Sequence, residues 1–365
     1  MREAKDMERE VEVINKNDTL IIKAVAIILM FIHHFFGFPN WYIENINFNN
    51  SMNIMIEVGQ ISQICVGIFA FITGYLYYFN KNKTYKYSIR KITDIIFSYW
   101  FVCISIIIFA LIMGFIKFDL EYILKELLLF DNKIMCFCWY VRFYILTMII
   151  LPVFTKMFNK SKFLSIVIVM LTKNLLIILI LKNLLNSKIL FETFQEFIIY
   201  FPIVLIGYIF ANFSIFNKIE NKIVRKHINS IFLEIVLSIS LICISLMIKK
   251  ILDTKMIGNI QYYLYSIDMI CAPIFIIGLI NIIKKIKITK FTNVFLELGK
   301  YSMLMWFIHC IFFNVCNKFF QPMLYYFNNY VIVLVLGLGL SYTLAAIINV
   351  PTRKIIEIKN KLLGI

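Results

Sequence analysis

Long apolar runs make up most of the chain and alternate with short polar segments that carry most of its charge. A helix crosses the hydrocarbon core of a bilayer when about 20 successive residues are mostly apolar. By that criterion the sequence predicts an all-α fold, an integral membrane bundle of about ten transmembrane helices. The predicted spans are 19–38, 53–79, 92–116, 139–155, 163–181, 194–216, 230–248, 262–283, 301–320 and 329–350.

The positive charges predict how this bundle is oriented. Of the 37 Lys and Arg residues, 25 fall in the N-terminal segment, the even-numbered loops and the C-terminal tail. An excess of Lys and Arg marks cytoplasmic loops, so both termini are predicted to be cytoplasmic. We expect a cytoplasmic N-terminal segment over 1–18, a transmembrane domain over 19–350 and a cytoplasmic tail over 351–365. Segments 117–130 and 353–365 are amphipathic and predict helices lying in the membrane interface.

Composition excludes a water-soluble fold. Hydrophobic residues make up 61% of the chain, charged residues 16%, and the mean hydropathy is +0.83. The net charge of +16 would suggest a nucleic-acid partner in a soluble protein. In this chain the Lys and Arg residues of the predicted loops explain the net positive charge. We therefore expect membrane lipid, and no nucleic acid, as a partner. The cysteines lie mostly in apolar runs and predict no disulfide framework, and the Cys136-Phe-Cys138 pair lacks further ligands for a metal.

Ionisable residues inside spans are costly and are therefore functional candidates. Lys23 and His34 are eleven residues apart in the first span. In a helix this puts them about 16 Å apart along the axis and within roughly 20° of each other around it. One helix face thus carries a cation near the cytoplasmic end and an imidazole in the outer third. Four other ionisable residues are predicted near the depth of this imidazole, with the last of them somewhat deeper: Glu57, Arg142, Asp268 and His309.

Two interpretations of this group remain open. A carboxylate from Asp268 or Glu57 would orient His34 as a general base aimed at a hydroxyl. Alternatively, Arg142 pairs with Glu57 or Asp268 and only locks the helices together. Three further residues are interpreted as structural: His33, Lys173 and Glu234.

Several segments, in order along the chain, resemble those of a known family. They are Lys23 to His34, with ten residues between the two; Gly67 to Tyr75, with its Phe-Ile-Thr-Gly-Tyr ending; Ser88 to Lys91, followed by Tyr99-Trp100; Trp139-Tyr140 with Pro152; and Leu298 to Ser302, running on to Ile308-His309. In these segments the chain resembles the membrane-bound acyltransferase 3 family, the ten-span O-acyltransferases of bacterial surface glycans.

The resemblance implies transfer of a short acyl group, most often from acetyl-CoA, to a sugar hydroxyl of a surface or lipid-linked glycan. It also implies a multi-pass protein of the bacterial inner (plasma) membrane. The implied roles are catalysis by His34 with Asp268 or Glu57; donor binding by Lys23, Arg90 and Lys91; and substrate contact by Arg142, Trp139, Tyr140, His309 and Tyr301.

Two rival functions use the same residues. In a transporter or flippase of glycans or lipid-linked sugars, the ionisable group would gate a pathway. In a membrane scaffold it would only hold helices together. Dependence on acyl-CoA separates the acyltransferase from both, and a homodimer is compatible with all three.

Overall fold

A computed structural model describes residues 14–42, 52–80, 85–158, 164–165, 167–172, 174, 188–219, 230–254, 267–285 and 290–362. These residues form helices, and no strand occurs among them. The α-helices, in chain order, are α1 Lys16–Phe36, α2 Met52–Ile61, α3 Ile64–Tyr78, α4 Tyr85–Ile112, α5 Leu120–Leu127, α6 Trp139–Phe158, α7 Lys188–Asn212, α8 Ile215–Ile219, α9 Ile231–Thr254, α10 Asp268–Lys285, α11 Lys290–Ile308, α12 Asn317–Tyr325 and α13 Tyr330–Leu362.

Within this described part, eight helices are long and apolar enough to cross a membrane. Each coincides with one predicted span, so an all-α polytopic membrane fold is confirmed. The predicted span 262–283 appears from Asp268 onwards as α10, which is not among the eight. The predicted span 163–181, including Lys173, lies mostly outside the described residues. The count of ten and the cytoplasmic placement of the termini therefore remain predictions.

The first helix lies at the centre of the bundle. It begins with a capping box, in which the Asn15 side chain accepts the backbone N–H of Asp18 and the Asp18 carboxylate accepts that of Asn15. In its apolar window 67% of residues are buried, compared with 11% in α9. Helix α1 packs against α2, α3 and α11, while α3 packs on α7 and α9 packs on α10. The residues of α1 are therefore screened from lipid, and those of α9 largely face it.

Small residues permit the closest crossings, as is common between membrane helices. A Cβ atom at Gly299 would overlap the carbonyl of Leu20, where α11 crosses α1. A Cβ at Gly74 would overlap the carbonyl of Val204, where α3 crosses α7. Backbone contact at these two crossings brings α3 and α11, which carry cavity-lining residues, tightly against their neighbours.

Several boundaries differ from the predictions. The predicted span 301–320 is instead α11, which begins at Lys290 and continues as a 3₁₀ turn over His309–Phe312. The change from α to 3₁₀ geometry therefore falls at His309. Helix α9 reaches Thr254, so Lys249 is helical rather than in a loop. Helix α13 continues through Pro351, so most of the predicted tail 351–365 extends the last span.

Candidate functional site

Two histidines from distant parts of the chain share a hydrogen bond in the bundle core. His34 lies near the end of α1, and His309 opens the 3₁₀ turn after α11. The Nδ1 atom of His34 is 3.0 Å from the Nε2 atom of His309. The two rings lie within 10° of parallel, with centroids 4.9 Å apart. His309 is fully buried and His34 is 7% exposed, so the pair is almost closed to water.

The neighbours of the pair assign its protons. The Nδ1 atom of His309 contacts the carbonyl oxygen of Trp306, which can only accept, so this nitrogen carries a hydrogen. In neutral His309 the Nε2 atom is then an acceptor, and Nδ1 of His34 must donate to it. The sulfur of Met30, 3.0 Å from the same nitrogen of His34, is also an acceptor. Both contacts leave the lone pair of His34 on Nε2, where it is available as a base.

Phe137 covers both imidazoles. Its ring centroid is 4.0 Å from that of His34 and 4.5 Å from that of His309, and it lies within 16° and 9° of parallel to them. Stacking against an apolar ring holds both imidazoles in one plane and excludes water from that side.

An aromatic cluster adjoins the His34 end of the pair. Trp41 stacks on Phe38 with centroids 4.1 Å apart, and its indole is 5.9 Å from the ring of His34. The ring of Phe313 lies 5.6 Å from Trp41. Trp41 is 37% exposed. A partly exposed aromatic surface therefore lies beside the imidazole ring of His34.

His33 makes a different set of contacts. Its Nδ1–H donates to the buried carbonyl of Gly59 at 2.8 Å, where α1 meets α2. This contact agrees with the interpretation of His33 as a structural histidine at a helix interface.

The carboxylates predicted to orient His34 have other partners. Asp268 lies 3.0 and 3.2 Å from the ammonium of Lys249, and both side chains are buried. Glu57 is exposed and pairs with Lys250 at 2.6 Å. In this structure neither carboxylate contacts His34, in contrast to the expectation that one of them orients it. Since α9 extends six residues beyond its predicted end, it carries Lys249 into the bundle to meet Asp268.

Arg142 also differs from its predicted pairing. One of its terminal nitrogens donates to the carbonyl of Leu129 at 3.0 Å and contacts the Cys138 sulfur at 3.4 Å, while Glu192 lies 3.8 Å away. The predicted pairing with Glu57 or Asp268 is therefore wrong. These contacts fix the segment between α5 and α6, which carries Phe137. Glu234, interpreted as structural, pairs with Lys285 of α10.

A cavity of about 380 Å³ extends from the Lys23 end of the bundle towards the histidine pair. Lys23, Lys91 and Asp94 line one end, whereas Tyr140 and Trp306 line the other. Trp306 provides the carbonyl that holds His309, so this end of the cavity is one helical turn from the pair.

Of the predicted site residues, Lys23, Lys91 and Tyr140 line this cavity, whereas the two histidines do not, and three others that were expected to contact donor or substrate also lie off it. Arg90 is exposed and projects from α4 in a different direction from Lys91. Tyr301 packs edge-on against Tyr342 of α13, with ring centroids 5.4 Å apart. Trp139 stacks on Tyr200 at 5.6 Å. Its neighbour Tyr140 is buried in the cavity wall.

Sequence reasoning missed three residues that contact the pair, Met30, Phe137 and Trp306. It also missed Glu126, whose carboxylate accepts backbone N–H groups of the segment that carries Phe137. Two of these residues could have been recognised from their spacing to a histidine in the sequence. Met30 precedes His34 by four residues and Trp306 precedes His309 by three, which are the spacings that put helical groups in contact. No pattern in the sequence marked Phe137 or Glu126.

The described residues contain no group of three or more His, Cys, Asp or Glu side chains arranged to hold a metal ion. No curated protein and no solved structure matches the chain. The sequence model of the family described as an acyltransferase domain matches residues 21–350, nearly the whole chain, and includes both histidines of the pair. The resemblance noted from the sequence segments is thereby confirmed, and the chain belongs to the acyltransferase 3 family of membrane acyltransferases.

Proposed function

We propose that this protein is an integral membrane O-acyltransferase that moves an acetyl or other short acyl group from acyl-CoA to a hydroxyl of a surface or lipid-linked glycan. The observation that carries the proposal is the proton arrangement of the histidine pair, which leaves Nε2 of His34 as a base. The cavity that begins at Lys23 and reaches Trp306, one helical turn from His309, leads a donor towards this pair, although neither histidine lines it.

The donor enters from the Lys23 end, which we assign to the cytoplasm. Lys23 and Lys91 meet the phosphates of CoA through charge-assisted hydrogen bonds. The pantetheine arm runs along the mostly apolar wall and brings the thioester towards Trp306. The cavity volume is near the small end of ligand pockets, which span about 300–1,000 Å³, and this favours a short acyl chain.

In the acyl transfer His34 moves the proton, and His309 accepts a hydrogen bond from it throughout. Nε2 of His34 takes the proton of the acceptor hydroxyl as its oxygen attacks the thioester carbonyl carbon. His34 becomes an imidazolium, which keeps its Nδ1–H bonded to Nε2 of His309. The carbon–sulfur bond breaks, the ester forms, and the proton on Nε2 passes to the departing thiolate to give free CoA.

The acceptor sugar approaches from the opposite end. Trp41 is partly exposed and lies beside His34, and an indole face packs well against the C–H face of a sugar ring. This assigns to Trp41 the contact with the acceptor sugar that the sequence analysis expected of Trp139 and Tyr140.

The test uses purified protein in lipid nanodiscs with radiolabelled acetyl-CoA and the glycan-bearing lipid fraction of the source membrane. We expect release of free CoA and label in the glycan, both dependent on acceptor and both lost in His34→Ala. Movement of glycan across a sealed vesicle without consumption of acetyl-CoA would contradict the proposal and support a transporter.

A further inference from the structure

A single buried carboxylate organises the segment that carries Phe137. Glu126, near the end of α5, has no exposed surface. Its Oε1 atom accepts the backbone N–H groups of Lys133 at 2.6 Å and Ile134 at 2.8 Å. Its Oε2 atom accepts that of Met135 at 3.2 Å. Three successive N–H groups therefore converge on one side chain, two residues before Phe137.

The backbone around Glu126 is itself fixed to α4. The Tyr99 hydroxyl donates to the carbonyl of Glu126, and the Trp100 indole N–H donates to the carbonyl of Leu127, each at 2.8 Å. The carboxylate is thus attached to a spanning helix rather than to a free loop. Displacement of α5 relative to α4 would break these bonds as well as those to the segment.

The charge of Glu126 has no cationic partner within the described residues. Its bonds there are to backbone N–H groups, and the nearby Asp131 is another acid. Burial raises the pKa of the Glu126 carboxyl, and the three N–H donors oppose that effect. The three backbone N–H donors offset the cost of burying this carboxylate, so the same hydrogen bonds that stabilise Glu126 also hold the segment from Lys133 to Met135 in place.

We infer that Glu126 is a positioning residue for acyl transfer. By accepting the N–H groups of residues 133–135, it holds Phe137 in contact with the His34–His309 pair. The inference rests on the proposed function. Phe137 contacts both imidazoles face-on, so a shift of the segment uncovers the pair and frees its rings to rotate. A displacement of about 1 Å in catalytic geometry lowers a rate by about a hundredfold.

The experiment is a double-mutant cycle between Glu126→Gln and Phe137→Leu, with turnover, the KM for acetyl-CoA and hydrogen exchange measured on the full chain in nanodiscs. Glu126→Gln keeps the size of the side chain but replaces one accepting oxygen with an N–H₂ group that faces N–H donors. We expect turnover to fall by at least about tenfold, with the KM for acetyl-CoA changed less than about twofold, since Lys23 and Lys91, which meet the donor's phosphates, lie at the end of the cavity away from the pair. In the Phe137→Leu background, Glu126→Gln should cost less than about twofold more, because the two changes remove the same effect.

The exchange measurement reports on the segment without using activity. Amides of the peptide covering 131–138 should exchange faster in Glu126→Gln, whereas those of α1 should be unchanged. Glu121→Gln is the matched control: it removes an exposed carboxylate from the same helix, paired only with Lys125 among the described residues, and should leave turnover and exchange unchanged.

Four results would overturn the inference: unchanged turnover in folded Glu126→Gln, unchanged turnover in Phe137→Leu, additive losses in the double variant, or failure to recover folded Glu126→Gln. The last would assign the carboxylate to folding as a whole. A wild-type protein that shows no acyl transfer would instead contradict the proposed function, and the exchange of the 131–138 segment would still test the contact.

Discussion

His309 accepts from His34 the hydrogen bond that a carboxylate was expected to accept. The bond joins Nδ1 of His34 to Nε2 of His309 over 3.0 Å, and the Trp306 carbonyl orients the second ring. A neutral imidazole stabilises an imidazolium less than a carboxylate does, but it brings no charge into the membrane core. The pair therefore orients a base without a buried anion beside it.

This relationship predicts different outcomes for two substitutions of His309. His309→Leu removes the acceptor for His34 Nδ1–H, and turnover should fall by about a hundredfold, within the range of general acid–base effects. His309→Gln keeps a side-chain carbonyl that can accept this hydrogen, so part of the turnover should return. Steady-state kinetics with acetyl-CoA and acceptor check both. Equal losses in the two variants would show that volume matters at this position rather than the acceptor.

Adjacent histidines in α1 should behave differently. His34→Ala removes the base and should abolish acyl transfer while the protein still inserts. His33→Ala leaves the buried Gly59 carbonyl without its partner, which costs about 1–3 kcal/mol of stability but leaves transfer measurable. Turnover per folded molecule, with folding followed by thermal unfolding, separates the two effects. Loss of transfer in both variants would show that the pair extends to His33.

The sequence was sufficient to predict the fold class and to name His34 and His309 as candidate site residues, but not their hydrogen bond to each other. The apolar runs are unambiguous because a bilayer demands long uninterrupted helices. The predicted 20° offset between Lys23 and His34 fits a helix face that runs from the cavity to the pair, and Lys23 does line the cavity.

The sequence alone could not predict which residues pair with the two carboxylates. Depth in the membrane follows from position along a span, but the direction a side chain faces depends on how helices pack. Glu57 occupies the predicted position along the second span, yet its side chain lies on the exposed face of α2. Asp268 is inside the bundle as expected, but its partner Lys249 was assigned to a loop because α9 ends later than its apolar run. Helix ends are set by capping and packing rather than by hydropathy alone.

Donor binding should depend on Lys91 more than on Arg90. Successive helical residues project about 100° apart, and only Lys91 of the two lines the cavity. Lys91→Ala should raise the dissociation constant for acetyl-CoA by about tenfold, the loss of one charge-assisted hydrogen bond. Arg90→Ala, the matched control at the same helix level, should change it little. Calorimetric titration of purified variants measures both constants, and a larger effect at Arg90 would contradict the assignment of the cavity to the donor.

The buried ion pair of Asp268 and Lys249 should contribute to the stability of the fold rather than to catalysis. Asp268→Asn leaves the Lys249 ammonium facing a neutral amide, and breaking a buried pair in this way costs roughly 3–5 kcal/mol. Yield and the midpoint of thermal unfolding should both fall. The molecules that fold should still transfer acyl groups, because His34 takes its hydrogen-bond acceptor from His309.

The double variant Asp268→Asn/Lys249→Met distinguishes an ion pair from a catalytic carboxylate. Methionine replaces the ammonium with an apolar end of similar length, so no unpaired charge remains and much of the lost stability should return. Glu57→Gln is the control: its exposed pair with Lys250 should contribute less than about 1 kcal/mol. Normal yield of Asp268→Asn with acyl transfer lost would reverse the interpretation, because loss of an ion pair that acts only on folding cannot lower turnover in molecules that fold normally.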